Sequence, residues 1–323
     1  SGITGTISAA NSLVGKSAFD QVSAGGITEL TNGNYVVSSP FWNLTDALGN
    51  LAAARVGAVT LGSGSVGVSG SVADTNSLIG SSPNDQISLG SGVLRKDGIV
   101  PLSNGDFVVV SPLWNLNDGS GNILATKVGA ATLVDGSTGL PVDFSNTVSA
   151  GNSLIGSSND QVSSGGVTAL ANGNYVVASP EWNLRDGSGN VLAGAVGAVT
   201  LIDPASSVDT VAATNSLIGA TAGDRVGSGG VTALLGSDSS DYVVSSPDWN
   251  GPGGATKVGA ATWRSGASSG LGDVVSSANS LVGGSSNDRV SSGGITALNN
   301  GNYVVASPQW NLTDGSGNVV AAN

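Results

Sequence analysis

Five tryptophans recur at one place in a repeated motif, and their side chains are the best candidates for binding a ligand. Each follows a Ser-Pro-x tripeptide, and they are Trp42, Trp114, Trp182, Trp249 and Trp310. An indole face stacks well on a sugar ring, so five equivalent rings could form a multivalent lectin whose weak sites add by avidity. The alternative is that each ring fills the space between neighbouring units. Repetition favours packing, because every unit must solve the same packing problem.

Acidic residues supply the candidates for a metal site. Asp238 and Asp241 lie in the segment GSDSSDY, while Asp118, Asp186 and Asp314 each open a loop of the type Asn-Leu-x-Asp-Gly-Ser-Gly-Asn. Carboxylate and amide oxygens are the ligands that Ca²⁺ prefers. Asp and Gly in these positions also suit ordinary turns, and two carboxylates do not complete a six-coordinate cage. We therefore expect no cofactor, with Ca²⁺ as the alternative.

The residue types that usually carry catalysis are missing from the sequence. The chain has no His and no Cys, which removes the commonest general base and the commonest thiol nucleophile. A serine without a histidine partner is inert by default. The aspartates that recur in Asp-Gln or Asp-Arg pairs, such as Asp20 and Asp85, are expected to cap turns through backbone N–H groups. The sequence thus predicts that the protein is not an enzyme.

Charge and composition limit the partners and the location. Asp and Glu number 22 against 10 for Lys and Arg, for a net charge of −12. Nucleic acid and anionic membrane surfaces should therefore be repelled, and no apolar run is long enough to span a membrane. The absence of Cys and Met suits exposure outside a cell. We expect an extracellular or cell-surface protein in which Ser1 follows a processing site or begins an excerpt of a longer chain.

A second marker, Asn-Ser-Leu-Val/Ile-Gly, divides the chain into repeats. It begins at Asn11, Asn76, Asn152, Asn215 and Asn279. The sequence therefore predicts one domain, 1–323, of five units with approximate bounds 1–65, 66–141, 142–204, 205–268 and 269–323.

Each unit offers four short segments of β type. In the third unit they are NSLIG, GGVTAL, NYVVASP and VGAVTL, rich in β-branched residues and bounded by Gly, Asn and Pro. Asn-Gly pairs such as Asn32-Gly33 are typical of tight hairpins in which both central residues have positive φ. We predict an all-β fold of five tandem four-stranded repeats, arranged as a β-propeller-like ring, with an open β-solenoid as the alternative.

The order of these segments resembles a known family. The run NSLIGSSNDQVSSGGVTALANGNYVVASPEWN followed by VGAVTLID resembles the FG-GAP repeat of integrin-type β-propellers, and also the tandem repeats of large secreted filamentous-haemagglutinin-like bacterial adhesins. The resemblance spans all five units and implies a propeller. It does not carry calcium with it, because the family's acidic calcium loop is shortened here to Asn-Gly-Asn in units one, three and five.

These observations lead to an expected function. We expect a non-enzymatic structural or adhesive module of a surface assembly, with the multivalent lectin as the alternative. The fifth unit lacks a counterpart of 56–65, while the chain begins with a counterpart of 66–75, so an open strand edge is expected. Copies of the chain are therefore expected to join head to tail by strand exchange into a filament, and surface glycans are the other candidate partner. Trp263 replaces a repeated Leu and is expected to face the neighbouring sheet.

Overall fold

The fold is built of short strands, because Val, Ile, Thr and Tyr alternate with turn residues throughout the repeats. The computed structural model describes residues 5–91, 98–206, 209–236, 240–267, 272–314 and 319–321. Within them the regular elements are strands, apart from one 3₁₀ turn at Pro252–Gly254. The all-β class and the tandem repetition are confirmed.

The strands follow one another in the same order from unit to unit. Those of the first unit are β1 (Leu13–Val14), β2 (Gly26–Glu29), β3 (Tyr35–Ser39), β4 (Leu44–Thr45), β5 (Leu51–Ala53) and β6 (Ala58–Gly62). Those of the second are β7 (Gly70–Ser71), β8 (Leu78–Ile79), β9 (Ile99–Pro101), β10 (Phe107–Ser111), β11 (Leu116–Asn117), β12 (Ile123–Ala125) and β13 (Ala130–Val134). Those of the third are β14 (Ser153–Ile155), β15 (Gly166–Ala169), β16 (Tyr175–Ser179), β17 (Leu184–Arg185), β18 (Val191–Ala193) and β19 (Ala198–Ile202).

The last two units keep this order, and the fourth has fewer strands. The fourth contains β20 (Ser216–Ile218), β21 (Val231–Ala233), β22 (Tyr242–Ser246) and β23 (Ala260–Arg264). The fifth contains β24 (Asp273–Val274), β25 (Ser280–Val282), β26 (Ile295–Ala297), β27 (Tyr303–Val305), β28 (Leu312–Thr313) and β29 (Val319–Ala321).

The chain divides into two compact bodies, an N-terminal body of residues 1–161 and a C-terminal body of residues 162–323. The N-terminal body holds two four-stranded antiparallel sheets, β2-β3-β6-β8 and β9-β10-β13-β14. The C-terminal body holds the sheets β15-β16-β19-β20-β24 and β21-β22-β23-β25 and the hairpin β26-β27. The four-stranded core of each complete sheet therefore takes its last strand from the Asn-Ser-Leu marker of the following unit.

This exchange of strands explains two repeated polar residues. The Thr of each Val-Gly-Ala-Val/Ala-Thr segment meets the Ser of the next Asn-Ser-Leu marker, as in the 2.7 Å contact between Thr132 Oγ1 and Ser153 Oγ. The equivalent hydroxyl pairs are Thr60–Ser77, Thr200–Ser216 and Thr262–Ser280. Because the hydroxyls satisfy each other, they can lie inside an otherwise apolar sheet.

In three of the units a further parallel pairing ties the marker strand to the next unit. Leu13 pairs with Gly70, Ile79 with Thr147 and Leu217 with Asp273. Every residue of the central strands β10, β16 and β22 is buried, so these strands are covered on both faces. This two-sided burial accounts for the continuous hydrophobic runs in the sequence.

The Asn-Gly turns differ from the predicted geometry. Of Asn32 and Gly33, only Gly33 has a positive φ, at 85°. The Gly33 amide donates to the Leu30 carbonyl, and the Leu30 amide donates to the Asn34 carbonyl. The glycine thus supplies the left-handed residue of a wider hairpin loop.

A small hairpin follows the tryptophan in four of the units. Its strand pairs are β4-β5, β11-β12, β17-β18 and β28-β29, each with one register shift. In the fourth unit the 3₁₀ turn stands at this place. Among the described residues no helix has the length and apolar character to cross a membrane.

Candidate functional site

The repeated tryptophans are mostly buried. Trp42, Trp114, Trp182 and Trp249 are 2%, 1%, 5% and 5% exposed, whereas Trp310 is 45% exposed. Trp114 packs in a core cluster with Val128, Val148 and Ile155, so its ring is covered partly by the following unit. The four buried rings offer no face for stacking on a sugar, which disfavours the multivalent lectin and supports the packing role.

Two of the indole nitrogens depart from expectation. A buried indole N–H usually donates a hydrogen bond, yet Nε1 of Trp42 and of Trp114 is buried without one among the described residues. Clefts of about 510 Å³ and 250 Å³ lie at equivalent places beside Trp114 and Trp249. Trp263 is 47% exposed, and its backbone pairs with Val243 of the adjacent strand β22.

A buried carboxylate holds the loop that follows the marker strand; in the second unit this is Asp85, after β8. Oδ2 of Asp85 accepts the amides of Ser81 (2.9 Å) and Ser82 (2.7 Å), and Oδ1 accepts the amide and Nδ2 of Asn115 (3.0 and 2.8 Å). Asn115 Oδ1 in turn accepts the Lys127 amide at 3.0 Å. Burial raises the pKa of the Asp85 carboxyl to about 6, and the four N–H donors oppose that shift. The group is thus an ionised acceptor at neutral pH.

The same aspartate–asparagine network recurs along the chain. In three further copies the carboxylate accepts from the asparagine after the tryptophan, and the pairs are Asp20–Asn43, Asp224–Asn250 and Asp288–Asn311. The expectation that these aspartates cap turns is confirmed. The asparagine partner was missed, although its place directly after each Trp was a visible signal.

Asp85→Asn should lower the free energy of unfolding by about 2–4 kcal/mol, because the new amide NH₂ cannot accept and leaves two buried N–H groups unpaired. Urea unfolding at pH 7 measures it. Asp118→Asn is the matched control, since Asp118 also accepts backbone amides but is exposed to water that can replace it. Equal losses in the two variants would contradict the structural role of Asp85.

Backbone hydrogen bonds join consecutive units at a second place. The amides of Gln86 and Ile87, which are neighbours in sequence, donate to the successive carbonyls of Arg55 and Val56 at 3.1 and 3.2 Å. In a regular strand successive amides point to opposite sides. Here they point the same way because alternate residues have positive φ, with values of 64°, 45° and 61° at Asn84, Gln86 and Ser88.

The C-terminal body repeats this joint with the same geometry. Arg225 and Val226 donate to Ala195 and Val196, and Arg289 and Val290 donate to Lys257 and Val258. A glycine follows the accepting valine each time, at Gly57, Gly197 and Gly259, where a Cβ would collide with the donating backbone. The Val-Gly of the repeated Val-Gly-Ala-Val-Thr segment is therefore a contact between units.

Ion pairs distinguish two of these joints from a third. Arg225 binds Glu181 at 2.7 Å and Arg289 binds Asp248 at 2.5 Å, where the acid is the variable residue of Ser-Pro-x-Trp. At the joint of the first two units the corresponding residues are Phe41 and Gln86. The acid and the arginine thus occur together, which is consistent with a role in matching neighbouring units. Because the pairs are partly exposed, each contributes only ~1 kcal/mol or less.

The predicted metal ligands Asp118 and Asp186 are held within their own loops. Asp118 and Asp186 each accept an asparagine side chain and two backbone amides, and these bonds lower the pKa of both carboxyls. Asp241 is partly buried and Asp314 is exposed, whereas Asp238 lies outside the described residues. In the described part of the chain no three acidic groups come together in a way that could hold a metal ion.

Comparison with known proteins gives the family. No curated protein matches the chain. A family model described as a repeat of unknown function (DUF5650) matches residues 1–24, 29–89, 101–164, 169–228, 237–292 and 297–321. These segments cover most of the sequence and correspond to about six repeats, with short ones at the two ends. No match to FG-GAP repeats or to haemagglutinin-type repeats is shown, so that finer resemblance stays a prediction. The chain belongs to the DUF5650 family of repeats.

Proposed function

We propose that the protein is a non-enzymatic structural and adhesive module of an extracellular surface assembly, in which like units join head to tail into a filament. The proposal is supported by the contacts that the repeated residues make. The tryptophan, the aspartate–asparagine pair and the Val-Gly segment are occupied in contacts within and between units. Residues that recur because every unit needs them for packing are typical of structural repeat proteins.

The several kinds of contact between consecutive units also support this proposal. Consecutive units share a sheet strand, a parallel pairing, a run of backbone bonds and a hydrophobic cluster. A unit therefore completes the fold of its neighbour. We propose that the surface through which one unit contacts the next also binds a like unit of another copy. The resemblance to propeller repeats and to the tandem repeats of secreted adhesins points to the same class of function.

Electron microscopy of the purified chain over a concentration series tests the proposal. We expect end-to-end strings that lengthen with concentration, because a heterologous contact that does not close propagates. Each copy carries a net charge of −12, so assembly should be stronger at about 0.5 M salt than at low ionic strength. Single particles at every concentration and at both salt levels would contradict filament formation.

A further inference from the structure

Two variable positions change together across the four joints between consecutive units. The first position is the residue between Pro and Trp in the Ser-Pro-x-Trp motif. The second directly follows the buried aspartate of the next unit. In chain order the pairs are Phe41 and Gln86, Leu113 and Gln161, Glu181 and Arg225, and Asp248 and Arg289. An apolar residue therefore occurs with Gln, and an acid occurs with Arg.

The second position has the same backbone geometry at each joint. Its φ is 45°, 46°, 47° and 45° at Gln86, Gln161, Arg225 and Arg289. Its amide donates to a carbonyl of the preceding unit, at Arg55, Lys127, Ala195 and Lys257 respectively. A side chain in this left-handed conformation is strained, and glycine would avoid the strain. Because a long polar side chain is nevertheless present at all four joints, we expect that side chain to have a use.

The two positions meet in the joints that carry charge. Nη2 of Arg225 lies 2.7 Å from Oε1 of Glu181, and Nη2 of Arg289 lies 2.5 Å from Oδ1 of Asp248. The two acidic side chains are 29% and 18% exposed. In the two other joints both members of the pair are half-buried as well. A charge opposite an apolar residue would be partly removed from water without a partner, which disfavours mixed pairs.

We infer that this pair of residues is a selectivity contact, through which each joint favours a neighbouring unit of the matching type. The matching types are an acid with Arg and an apolar residue with Gln. The other contacts of the joint repeat from unit to unit, so without such a contact a unit could pair with a non-adjacent unit or with a unit of another copy. The inference concerns the pairing of units within one chain and does not depend on filament formation.

Exchanging one type of pair for the other in the full chain tests the inference at the joint of the third and fourth units. Glu181→Leu leaves Arg225 without its acid, and Arg225→Gln leaves Glu181 without its arginine. The amide of Val226 donates across this joint to the carbonyl of Val196. We expect each single variant to lower the hydrogen-exchange protection factor of that amide about threefold, as for the loss of a partly exposed ion pair.

The double variant, Glu181→Leu with Arg225→Gln, carries the matching pair of the preceding joint. We expect its Val226 protection factor to lie within about 1.5-fold of that of the unchanged chain, because the two changes compensate each other. Salt at about 0.5 M should lower Val226 protection in the unchanged chain but not in the double variant, since only the unchanged chain pairs charges there.

Two controls separate the local contact from a general change in charge or stability. Glu29→Leu removes the same charge at an exposed residue of β2, so Val226 protection should change less than about 1.5-fold. The amide of Ile87, which donates to Val56 in the N-terminal body, is the internal reference and should keep its protection in every variant.

Three outcomes would overturn the inference. A double variant protected no better than the single variants would show that the ion pair alone matters and that the apolar residue with Gln is not an equivalent match. Equal Val226 protection in the unchanged chain and all three variants would show that the pair selects nothing. A loss of protection at Ile87 as large as that at Val226 would show a general loss of stability instead of a contact confined to the joint.

Discussion

Replacing Trp249 with alanine is expected to lower the free energy of unfolding by about 3–5 kcal/mol, as for other large truncations in a core. Trp249 is 5% exposed and packs with Val258, Ala260 and Val275, so its removal leaves a cavity between the fourth and fifth units. Urea unfolding, followed by circular dichroism, measures the loss.

Trp310→Ala is the matched control for this variant. It changes the same residue of the same motif in the same body, but its indole is 45% exposed. Because less apolar surface is lost, we expect a cost of at most about half that of Trp249→Ala. Equal losses of unfolding free energy in the two variants, or a loss near zero for Trp249→Ala, would contradict the packing role and would favour the lectin alternative.

Gly197→Ala is expected to destabilise the chain by about 2–5 kcal/mol. Gly197 has a φ of 77°, and a Cβ there would lie 2.2 Å from the backbone nitrogen of Val226. The left-handed conformation costs an alanine roughly 1–2 kcal/mol, and relief of a clash with backbone costs roughly 1–3 kcal/mol more. The joint between the third and fourth units would have to open to admit the methyl group.

Gly173→Ala separates the two contributions. Gly173 has a φ of 90° and nothing lies within 4 Å of the position that a Cβ would take. This variant should therefore lose only the conformational part, roughly 1–2 kcal/mol. Thermal and urea unfolding of both variants give the comparison. If Gly173→Ala proved as costly as Gly197→Ala, the close approach between units would not be what requires glycine.

Local features of the sequence predicted the strands and their repetition. The Val-rich segments, the Gly of each Asn-Gly turn and the capping aspartates all appear where their residue types favour them, as at Tyr175–Ser179, Gly173 and Asp85. Such features depend on neighbours in the chain, so the pattern of residues is enough to predict them.

Partners from distant parts of the chain were not predictable in the same way. The sequence indicates that Ser153–Ile155 is a strand, but not that it completes the sheet of the preceding unit beside β13. The hairpin that follows the tryptophan in four of the units was missed because its strands have two or three residues and contain or border polar residues. For the candidate site, burial of Trp114 and exposure of Trp310 depend on whether a further unit covers them, which no local pattern reports.

The sheet of a unit is completed by the marker strand of the unit that follows it. Amide hydrogen exchange of the intact chain in dilute solution measures this dependence, because it compares equivalent strands in one molecule. We expect slow exchange throughout Tyr35–Ser39, Phe107–Ser111, Tyr175–Ser179 and Tyr242–Ser246, which are paired on both edges, and fast exchange of the amides of Tyr303–Val305 that have no partner among the described residues. Equal protection of all five strands would contradict it.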